Sequence, residues 1–356
     1  LTRLHDVHHR GPGHGGRMEP HHEPAASVIV PTHRGAHRLP VLLRALADQD
    51  VEEPWEVVVV LDGVVDESPR VLEQWSDRLD LRVVVHHEPR GLVEALNDGF
   101  AAARGRVLIR CDDDLTPGPE MVRRHLAHHA TGQDVGVMGP TRDVFPDTAY
   151  AIAYGRPATA RSLAATYSRP VEQRWIGWAA HNSVTRRVWD RAGRFDPRFV
   201  YGQDSELGFR LAQAGVHLVV DPALELEHRG PALDTATRAP RAFVSGASRR
   251  LFLSVHGPAR SPAAPVAGIR AHIWQAMVRA ISTMVRSREG YARAGRLVDG
   301  ALRVLPPPVG GRLVAVVVES AGRSGLRHGR TDLGVYKGQK KAELDRESDG
   351  EQRRPQ

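Results

Sequence analysis

Short apolar runs recur along the first third of the chain, at residues 27–30, 57–61, 81–85 and 107–109. Their spacing of roughly 25 to 30 residues is the period of βα units. Between them lie stretches whose apolar residues have helical spacing, at residues 39–46, 69–79 and 92–103. This alternation predicts an α/β domain with a mainly parallel sheet.

The later part of the chain has a less regular pattern. It predicts strands at residues 135–138, 150–154, 179–184 and 217–220, and a helix that starts near Asp204. The expected organisation is a disordered His- and Gly-rich tail (1–25), the α/β domain (26–230), a basic helical extension (231–321) and a charged disordered tail (322–356).

Two helices are predicted in the extension, at residues 241–256 and 269–286. The second carries Trp274, Met277, Ile281 and Met284 on one side, and Arg270, Arg279, Arg286 and Arg288 among its polar positions. A packed helix with a solvated basic face explains this composition. Peripheral contact of residues 241–288 with the inner face of a membrane is the alternative.

Composition places the chain among globular proteins, because 41% of its 356 residues are apolar and 26% are charged. A net charge of +7 suits an anionic partner. No basic and aromatic stretch resembles a nucleic-acid reader, so nucleic-acid binding is not expected.

The single cysteine excludes an internal disulfide. No apolar run could span a bilayer and the first residues lack the apolar region of a signal peptide, which predicts a cytoplasmic protein.

Three adjacent carboxylates, Asp112, Asp113 and Asp114, follow the apolar run that ends at residue 110. Such a group resists desolvation at the exit of a buried strand, which favours a bound cation. Mn²⁺ or Mg²⁺ fits, because these ions take carboxylate oxygens together with substrate phosphates. A solvated acidic turn that caps the next helix is the alternative. Ligands of parallel sheets bind beyond the carboxyl ends of the strands, where residues 31–34 and Asp62 also fall.

Six segments, taken in order, resemble the motifs of family 2 glycosyltransferases. They are SVIVPTHR (27–34), VVVLDG (58–63), RGLVEALNDG (90–99), CDDD (111–114) with Pro119 five residues beyond it, GRFD (193–196) leading to YGQDSELGFRL (201–211), and EHR (227–229). Leu61 and Gln203 stand where the family has acidic residues. These enzymes transfer a sugar with inversion and have the GT-A fold, which is a mainly parallel mixed sheet flanked by helices. The resemblance implies that fold here, followed by a C-terminal helical extension.

The resemblance also implies roles for individual residues. Asp204 would be the catalytic base, although an N-cap is the structural alternative. Asp114 would be the main metal ligand, with Asp112 and His228 as further ligands, although a lone histidine is often structural. The nucleotide sugar would be bound by Pro31, Thr32, His33, Arg34, Asp62, Arg90, Asn97, Asp112 and Asp113. Trp175, Trp178 and Gln203 would lie on the acceptor side, with core packing as the alternative for the two rings.

The implied activity is metal-assisted, inverting transfer from a nucleotide diphosphate sugar, such as a UDP-sugar, with Mn²⁺ or Mg²⁺ as cofactor. Polysaccharide, lipid-linked and small-molecule acceptors all remain possible.

Two other functions are also compatible with the sequence. A sugar-nucleotide-binding protein without turnover would suit the departures at Leu61 and Gln203. A nucleotidyltransferase of related fold would need a Gly-rich basic loop after the first strand, where only Gly35 stands.

Overall fold

A computed structural model describes residues 3–6, 23–258, 268–332 and 334. The strands are β1 (Arg3–Asp6), β2 (Ala26–Thr32), β3 (Trp55–Asp62), β4 (Leu81–His86), β5 (Val107–Cys111), β6 (Leu115–Thr116), β7 (Val135–Met138), β8 (Thr141–Asp143), β9 (His181–Thr185), β10 (His217–Val220) and β11 (Leu226–His228). The helices are α1 (Leu39–Ala47), α2 (Ser68–Glu73), α3 (Leu92–Ala102), α4 (Met121–His129), α5 (Arg156–Tyr167), α6 (Arg186–Ala192), α7 (Gln203–Gln213), α8 (Thr235–His256), α9 (Ile269–Met284), α10 (Arg288–Ala301) and α11 (Pro307–His328).

The main sheet contains eight strands in the order β1-β4-β3-β2-β5-β9-β7-β10. Strands β4, β3, β2 and β5 run parallel, and β9 runs antiparallel to both β5 and β7. A smaller sheet has the order β6-β11-β8. The predicted fold class, a mainly parallel mixed sheet flanked by helices with a helical C-terminal region, is confirmed.

The central strands are buried on both faces because successive residues point to opposite sides of the sheet. In β3, Val57 and Val59 belong to one core cluster, which also contains Leu42 of α1. Val58 and Val60 belong to a second cluster, which contains Leu96 of α3. Helices therefore cover both faces, and the loops that follow the strands meet at one edge of the sheet.

Three predicted segments differ from the structure. Residues 150–154 are helical, not extended, and the rings of Tyr150 and Tyr154 lie 5.7 Å apart because residues four apart share a helix face. Helix α2 ends at Glu73 instead of reaching residue 79. Helix α11 continues to His328, past residue 322 where composition predicts the charged tail to begin. A short apolar run cannot by itself distinguish strand from helix.

The predicted tails lie largely outside the described residues. Of the tail predicted over residues 1–25, residues 3–6 form β1, which pairs antiparallel with β4. Of the tail predicted over residues 322–356, the segment from 335 onwards is not among the described residues.

The described chain forms two compact units. The first comprises residues up to 142 together with residues 163–197 and 204–230, and it contains the main sheet. The second comprises residues 143–162, 198–203 and the chain from residue 231. Two short segments that precede residue 230, the predicted boundary, therefore cluster with the C-terminal helices. None of the described helices is long and apolar enough to cross a bilayer.

Small residues explain why α11 extends beyond the predicted boundary in the second unit. A Cβ atom at Gly325 would lie 1.8 Å from the carbonyl oxygen of Phe243, and one at Gly246 would lie 2.0 Å from that of Gly322. Glycine therefore allows α8 and α11 to pack backbone against backbone.

A buried acidic group stabilises the start of the main sheet. Glu56 is fully buried, and its carboxylate accepts hydrogen bonds from Ser27 Oγ at 2.6 Å and from Arg104 Nε at 2.8 Å. We expect Glu56→Ala to lower the free energy of unfolding by about 3 kcal/mol, because the change leaves buried donors without an acceptor. Urea denaturation measures this loss. The exposed Glu53→Ala serves as control, and an equal effect of the two changes would contradict the prediction.

Candidate active site

Three parallel strands end at the same edge of the main sheet. Pro31 and Thr32 end β2, Asp62 ends β3, and Cys111 ends β5 directly before the acidic run. Because β2 lies between β3 and β5, the loops after these strands are neighbours. The hydroxyl of Thr32 donates to Oδ2 of Asp113 at 2.5 Å. The structure thus brings the first predicted segment and the acidic run into direct contact.

Asp113 is bound by an arginine that the motifs did not predict. Arg38, at the start of α1, donates from Nε to Oδ1 and from Nη2 to Oδ2, each at 3.0 Å. The same guanidinium donates to the carbonyl oxygen of His33 at 2.9 Å. This forked pairing fixes the orientation of Asp113 and ties it to the turn after β2.

Asp112 is bound by a second arginine, Arg110, whose side chain is 1% exposed. Arg110 donates from Nε to Oδ1 at 2.8 Å and from Nη2 to Oδ2 at 3.0 Å. Burial raises the pKa of Asp112 to about 6 despite this pairing, and the charges of Asp114 and Asp204 add to the rise. The positive charge of Arg110 therefore does not fully offset the burial of Asp112 and the neighbouring carboxylates.

Arg110 also reaches the predicted catalytic base. Its Nη1 donates to Oδ1 of Asp204, so one buried guanidinium joins the acidic run to α7. Helix α7 begins at Gln203, which places Asp204 inside the first turn and not at the N-cap. The ion pair with Arg110 thus favours a role in the site over the capping alternative.

Asp114 lies beside the predicted histidine. The antiparallel pairing of β6 with β11 sets His228 opposite Leu115, and Nε2 of His228 lies 3.2 Å from Oδ2 of Asp114. Two donors bound to one Mn²⁺ or Mg²⁺ at about 2.1 Å in adjacent octahedral positions lie roughly 3 Å apart, so this pair fits a shared ion. Both side chains are about a quarter exposed, at 24% and 25%. Among the described residues, no group of three or more His, Cys, Asp or Glu converges as a complete metal site.

Asp62, at the end of β3, is bound by the end of β4 and by the loop that follows β4. Its Oδ1 lies 2.9 Å from His86 Nδ1, and its oxygens accept from the backbone N–H groups of Arg90 at 2.7 Å and Gly91 at 2.8 Å. Burial alone would raise the pKa of Asp62, but these hydrogen bonds outweigh it and hold the pKa below its usual value. Nδ1 of His33 donates to the backbone carbonyl of Asp62 at 2.6 Å, which braces the turn after β2 against the end of β3.

Two further residues that were predicted to bind the nucleotide sugar, Asn97 and Arg90, have partners within the protein. The amide of Asn97 donates to the carbonyl of Phe195 at 3.0 Å and accepts from the N–H of Phe195 at 2.9 Å. Asn97 is 6% exposed and anchors the segment before α7; its contact with the nucleotide sugar stays a prediction. Arg90 pairs with Asp98 at 2.6 Å and with Glu94 at 3.2 Å.

Arg34 has an unusual backbone conformation. Its φ angle of +52° lies in the left-handed region, which costs a non-glycine residue of order 1 kcal/mol. Its side chain is exposed beside the site. The exposed guanidinium group is available for the predicted contact with the nucleotide sugar.

The acceptor-side residues are placed differently from one another. Trp178 is 1% exposed and belongs to the second core cluster, which favours the packing alternative for this ring; its acceptor contact stays a prediction. Trp175 is half-buried, and its ring packs edge-on against Phe209 at 5.2 Å. Gln203 is buried at the first position of α7.

Buried histidines behind the acidic run were not predicted. His125 and His129 lie four residues apart on α4, and His181 and Ser183 lie two apart on β9. Oγ of Ser183 lies 2.8 Å from both helix histidines, and Nε2 of His125 lies 2.9 Å from Nε2 of His181. Residue 181 is opposite Cys111 in the sheet register, so this cluster lies one strand from the acidic run.

Comparison with known proteins gives the family. The model of Glycosyl transferase family 2 matches residues 27–185. Undecaprenyl-phosphate 4-deoxy-4-formamido-L-arabinose transferase of Pseudomonas fluorescens is 33% identical over 137 residues, which are 37% of this chain and 40% of that protein. Hyaluronan synthase of Pasteurella multocida is 24% identical over 247 residues, which are 60% of this chain and 25% of that protein. The chain therefore spans less than half the length of these relatives.

Solved structures show the same fold. A mannosyltransferase from Pyrobaculum calidifontis, in complex with GDP-Man and Mn²⁺, has a TM-score of 0.54 and 20% identity, covering 86% of this chain and 88% of that one. S. aureus TarS has a TM-score of 0.52 and 16% identity, covering 84% of this chain and 90% of that one. The family match over residues 27–185 includes strands β2 to β5 and the acidic run that follows β5. Residues 27–185 match glycosyl transferase family 2, and the chain has the GT-A fold.

Proposed function

We propose that this chain is a glycosyltransferase (EC 2.4) that moves a sugar, with inversion, from a nucleotide diphosphate sugar to an acceptor hydroxyl. The observation that carries this proposal is the bridge formed by Arg110. It links Asp112, on the side of the strand ends where a nucleotide sugar would bind, to Asp204, on the side where an acceptor would enter. A transferase needs these two sides in contact, whereas a binding protein does not.

Asp204 performs the proton transfer. Its carboxylate accepts the proton of the acceptor hydroxyl as the acceptor oxygen attacks the anomeric carbon, which is general-base catalysis. Attack on the face opposite the diphosphate breaks the bond to the leaving group in the same displacement, so the anomeric configuration inverts. Arg110 holds Asp204 in place through Oδ1.

Asp114 and His228 would hold a divalent cation. When bound, such an ion neutralises the charge that develops on the leaving diphosphate. Magnesium and manganese are commonly held by one or two protein ligands together with phosphate and water, which agrees with the pair seen here. Asp112 stays a weaker candidate ligand, because both of its oxygens accept hydrogen bonds from Arg110.

The donor is bound by the loops after β2, β3 and β4. Thr32, His33, Arg34, Asp62 and Arg90 line these loops, and we assign the nucleotide to them, with a UDP-sugar as first candidate. The names of the relatives suggest the acceptor class. One acts with undecaprenyl phosphate and another makes hyaluronan, which favours a lipid-linked or glycan acceptor over a small molecule. Either acceptor is consistent with a cytoplasmic location at the inner face of a membrane.

A panel of nucleotide sugars, each with and without Mn²⁺, tests this function. Thermal shift identifies the donor, because a ligand that binds the folded state raises the apparent melting temperature. Release of free nucleoside diphosphate in the presence of an acceptor then tests turnover. Binding without release would favour the sugar-nucleotide-binding alternative. Formation of pyrophosphate from a nucleoside triphosphate would favour the nucleotidyltransferase.

Asp114→Ala tests the metal assignment. We expect the Mn²⁺-dependent part of donor affinity to fall at least about tenfold, because the change removes one of two protein ligands. Isothermal titration with and without Mn²⁺ measures it. Asp77→Ala removes an exposed carboxylate from the same unit and is the matched control. Unchanged Mn²⁺ dependence in Asp114→Ala would show that the ion is held elsewhere.

A further inference from the structure

Helix α9 exposes large apolar side chains in the second unit. Ile269 is 80% exposed, Ile273 is 55%, Met277 is 44% and Met284 is 80%. Soluble proteins normally expose such residues singly. Four on one helix form a surface that needs a partner.

These four residues lie on one face of the helix. At 100° per residue, Ile269, Ile273, Met277 and Met284 fall within about 80° of one another, and the exposed Ala276 and Ala280 fall between or beside them. We call these four large residues the α9 stripe. The opposite face is packed, since Val278 and Ser282 are buried and the indole N–H of Trp274 donates to Glu319 of α11 at 2.7 Å. The α9 stripe is therefore not the core-facing side of the helix.

Arginines border the stripe on both sides. By the same helical geometry Arg270 lies about 20° beyond one edge of the stripe and Arg279 about 80° beyond the other, and both are exposed. The wider segment is strongly basic, because residues 268–332 contain eleven arginines and no lysine, against four acidic residues. An apolar face with cationic margins is complementary to a surface that has hydrocarbon below a layer of negative charge.

We infer that the α9 stripe docks on the surface of an anionic phospholipid bilayer. Its apolar residues enter the boundary between headgroups and acyl chains, while Arg270 and Arg279 pair with lipid phosphates. Of the four apolar residues that the sequence places on one side of this helix, Trp274 and Ile281 pack against the core of the second unit, whereas Met277 and Met284 face outwards. The inference does not depend on the transfer chemistry.

A second copy of the chain fits this surface less well. Two α9 stripes placed face to face would bring Arg270 and Arg279 of one copy against the same residues or their neighbours in the other. Like charges at the rim of an apolar contact oppose association. Charge complementarity therefore selects the lipid surface.

Flotation with vesicles tests the inference on the full chain. We expect it to float with vesicles of equal parts phosphatidylglycerol and phosphatidylcholine at low salt, and not with phosphatidylcholine alone. The double change Ile273→Asp with Met277→Asp should lower the partition coefficient at least tenfold. Arg270→Glu with Arg279→Glu should lower it as well, and high salt should weaken wild-type binding.

Matched controls come from α1, where Val41 is 41% exposed and Arg44 is exposed. Val41→Asp and Arg44→Glu make the same chemical changes and should leave flotation unaltered. All variants change exposed side chains, so melting temperatures should stay close to that of the wild type. Failure of the wild type to float, or equal flotation of the stripe variants, would overturn the inference. A lipid-free dimer that Ile273→Asp dissociates, without vesicle binding, would overturn it in favour of self-association.

Discussion

Asp204→Asn should lower kcat by about a hundred- to ten-thousand-fold, which is the range that a positioned general base contributes. The asparagine amide cannot accept the acceptor proton as a carboxylate does. Its carbonyl oxygen can still accept the hydrogen bond from Arg110, so the fold around α7 should persist. Donor affinity, measured by titration with the nucleotide sugar and Mn²⁺, should change little.

The control for this change is Asp190→Asn, at an exposed carboxylate on α6 of the same unit. It should have wild-type turnover, since it lies outside the site. If Asp204→Asn kept turnover near that of the control, Asp204 would not be the base. If it lost donor binding as well as turnover, the residue would belong to the donor site instead.

Acidification should unfold the chain well above the range in which most carboxylates protonate. Burial lowers the pKa of His129 and of His181 to about 4 and holds that of His125 well below its ordinary value of about 6.5. The unfolded chain therefore binds more protons at these three sites between pH 6.5 and pH 4. Stability is lost as pH falls through this window, because the folded state keeps the imidazoles neutral.

Asp112 has the opposite effect on the pH dependence of stability. Its raised pKa of about 6 means that the folded state binds one proton more than the unfolded state between about pH 6 and pH 4. Burial also raises the pKa of Asp299, so the three histidines act against two carboxylates and the net effect on unfolding is an uptake of protons. The free energy of unfolding should thus fall as pH falls through this window.

Urea denaturation at half-unit steps of pH measures this slope. His129→Gln removes one titrating ring and keeps a polar group that can bond to Ser183, so it should reduce the slope by about one proton, or about 1.4 kcal/mol per pH unit. His217→Gln, at an exposed position in β10, should leave the slope unchanged. A slope that is the same in His129→Gln and the wild type would contradict the assignment to the buried cluster.

The elements with strong periodicity were predictable from sequence. Strands β2 and β3 are continuous apolar runs because they are buried on both faces, and α3 repeats its apolar residues at helical spacing. The placement of Asp62 and the acidic run followed from topology, since parallel strands end at one edge. Residues 150–154 were not predictable, because five apolar residues fit a strand or a buried helical turn equally well.

The partners of the charged residues could not be predicted in the same way. Arg110 meets Asp204 across 94 positions of sequence, and Arg38 meets Asp113 across 75. Nothing local specifies which carboxylate a buried arginine will reach. One signal was present: Arg110 is a charged residue inside the apolar strand β5, and buried charges in proteins are paired. No feature of the sequence indicated that Trp178 would be buried, because aromatic residues are common both in protein cores and in sugar-binding sites.

The burial of Arg110 has a consequence for how the donor and a cation affect each other's binding. Four carboxylates, those of Asp112, Asp113, Asp114 and Asp204, meet here, while Arg38 and Arg110 pair with three of them. The ion pairs with Asp112 and Asp204 hold the Arg110 side chain in the protein interior, so it does not move out to bind a ligand. A nucleotide diphosphate, itself an anion, would be repelled by the surplus of carboxylates over these two guanidinium groups. The proposed donor and a divalent cation should therefore each raise the affinity of the site for the other, by the same factor.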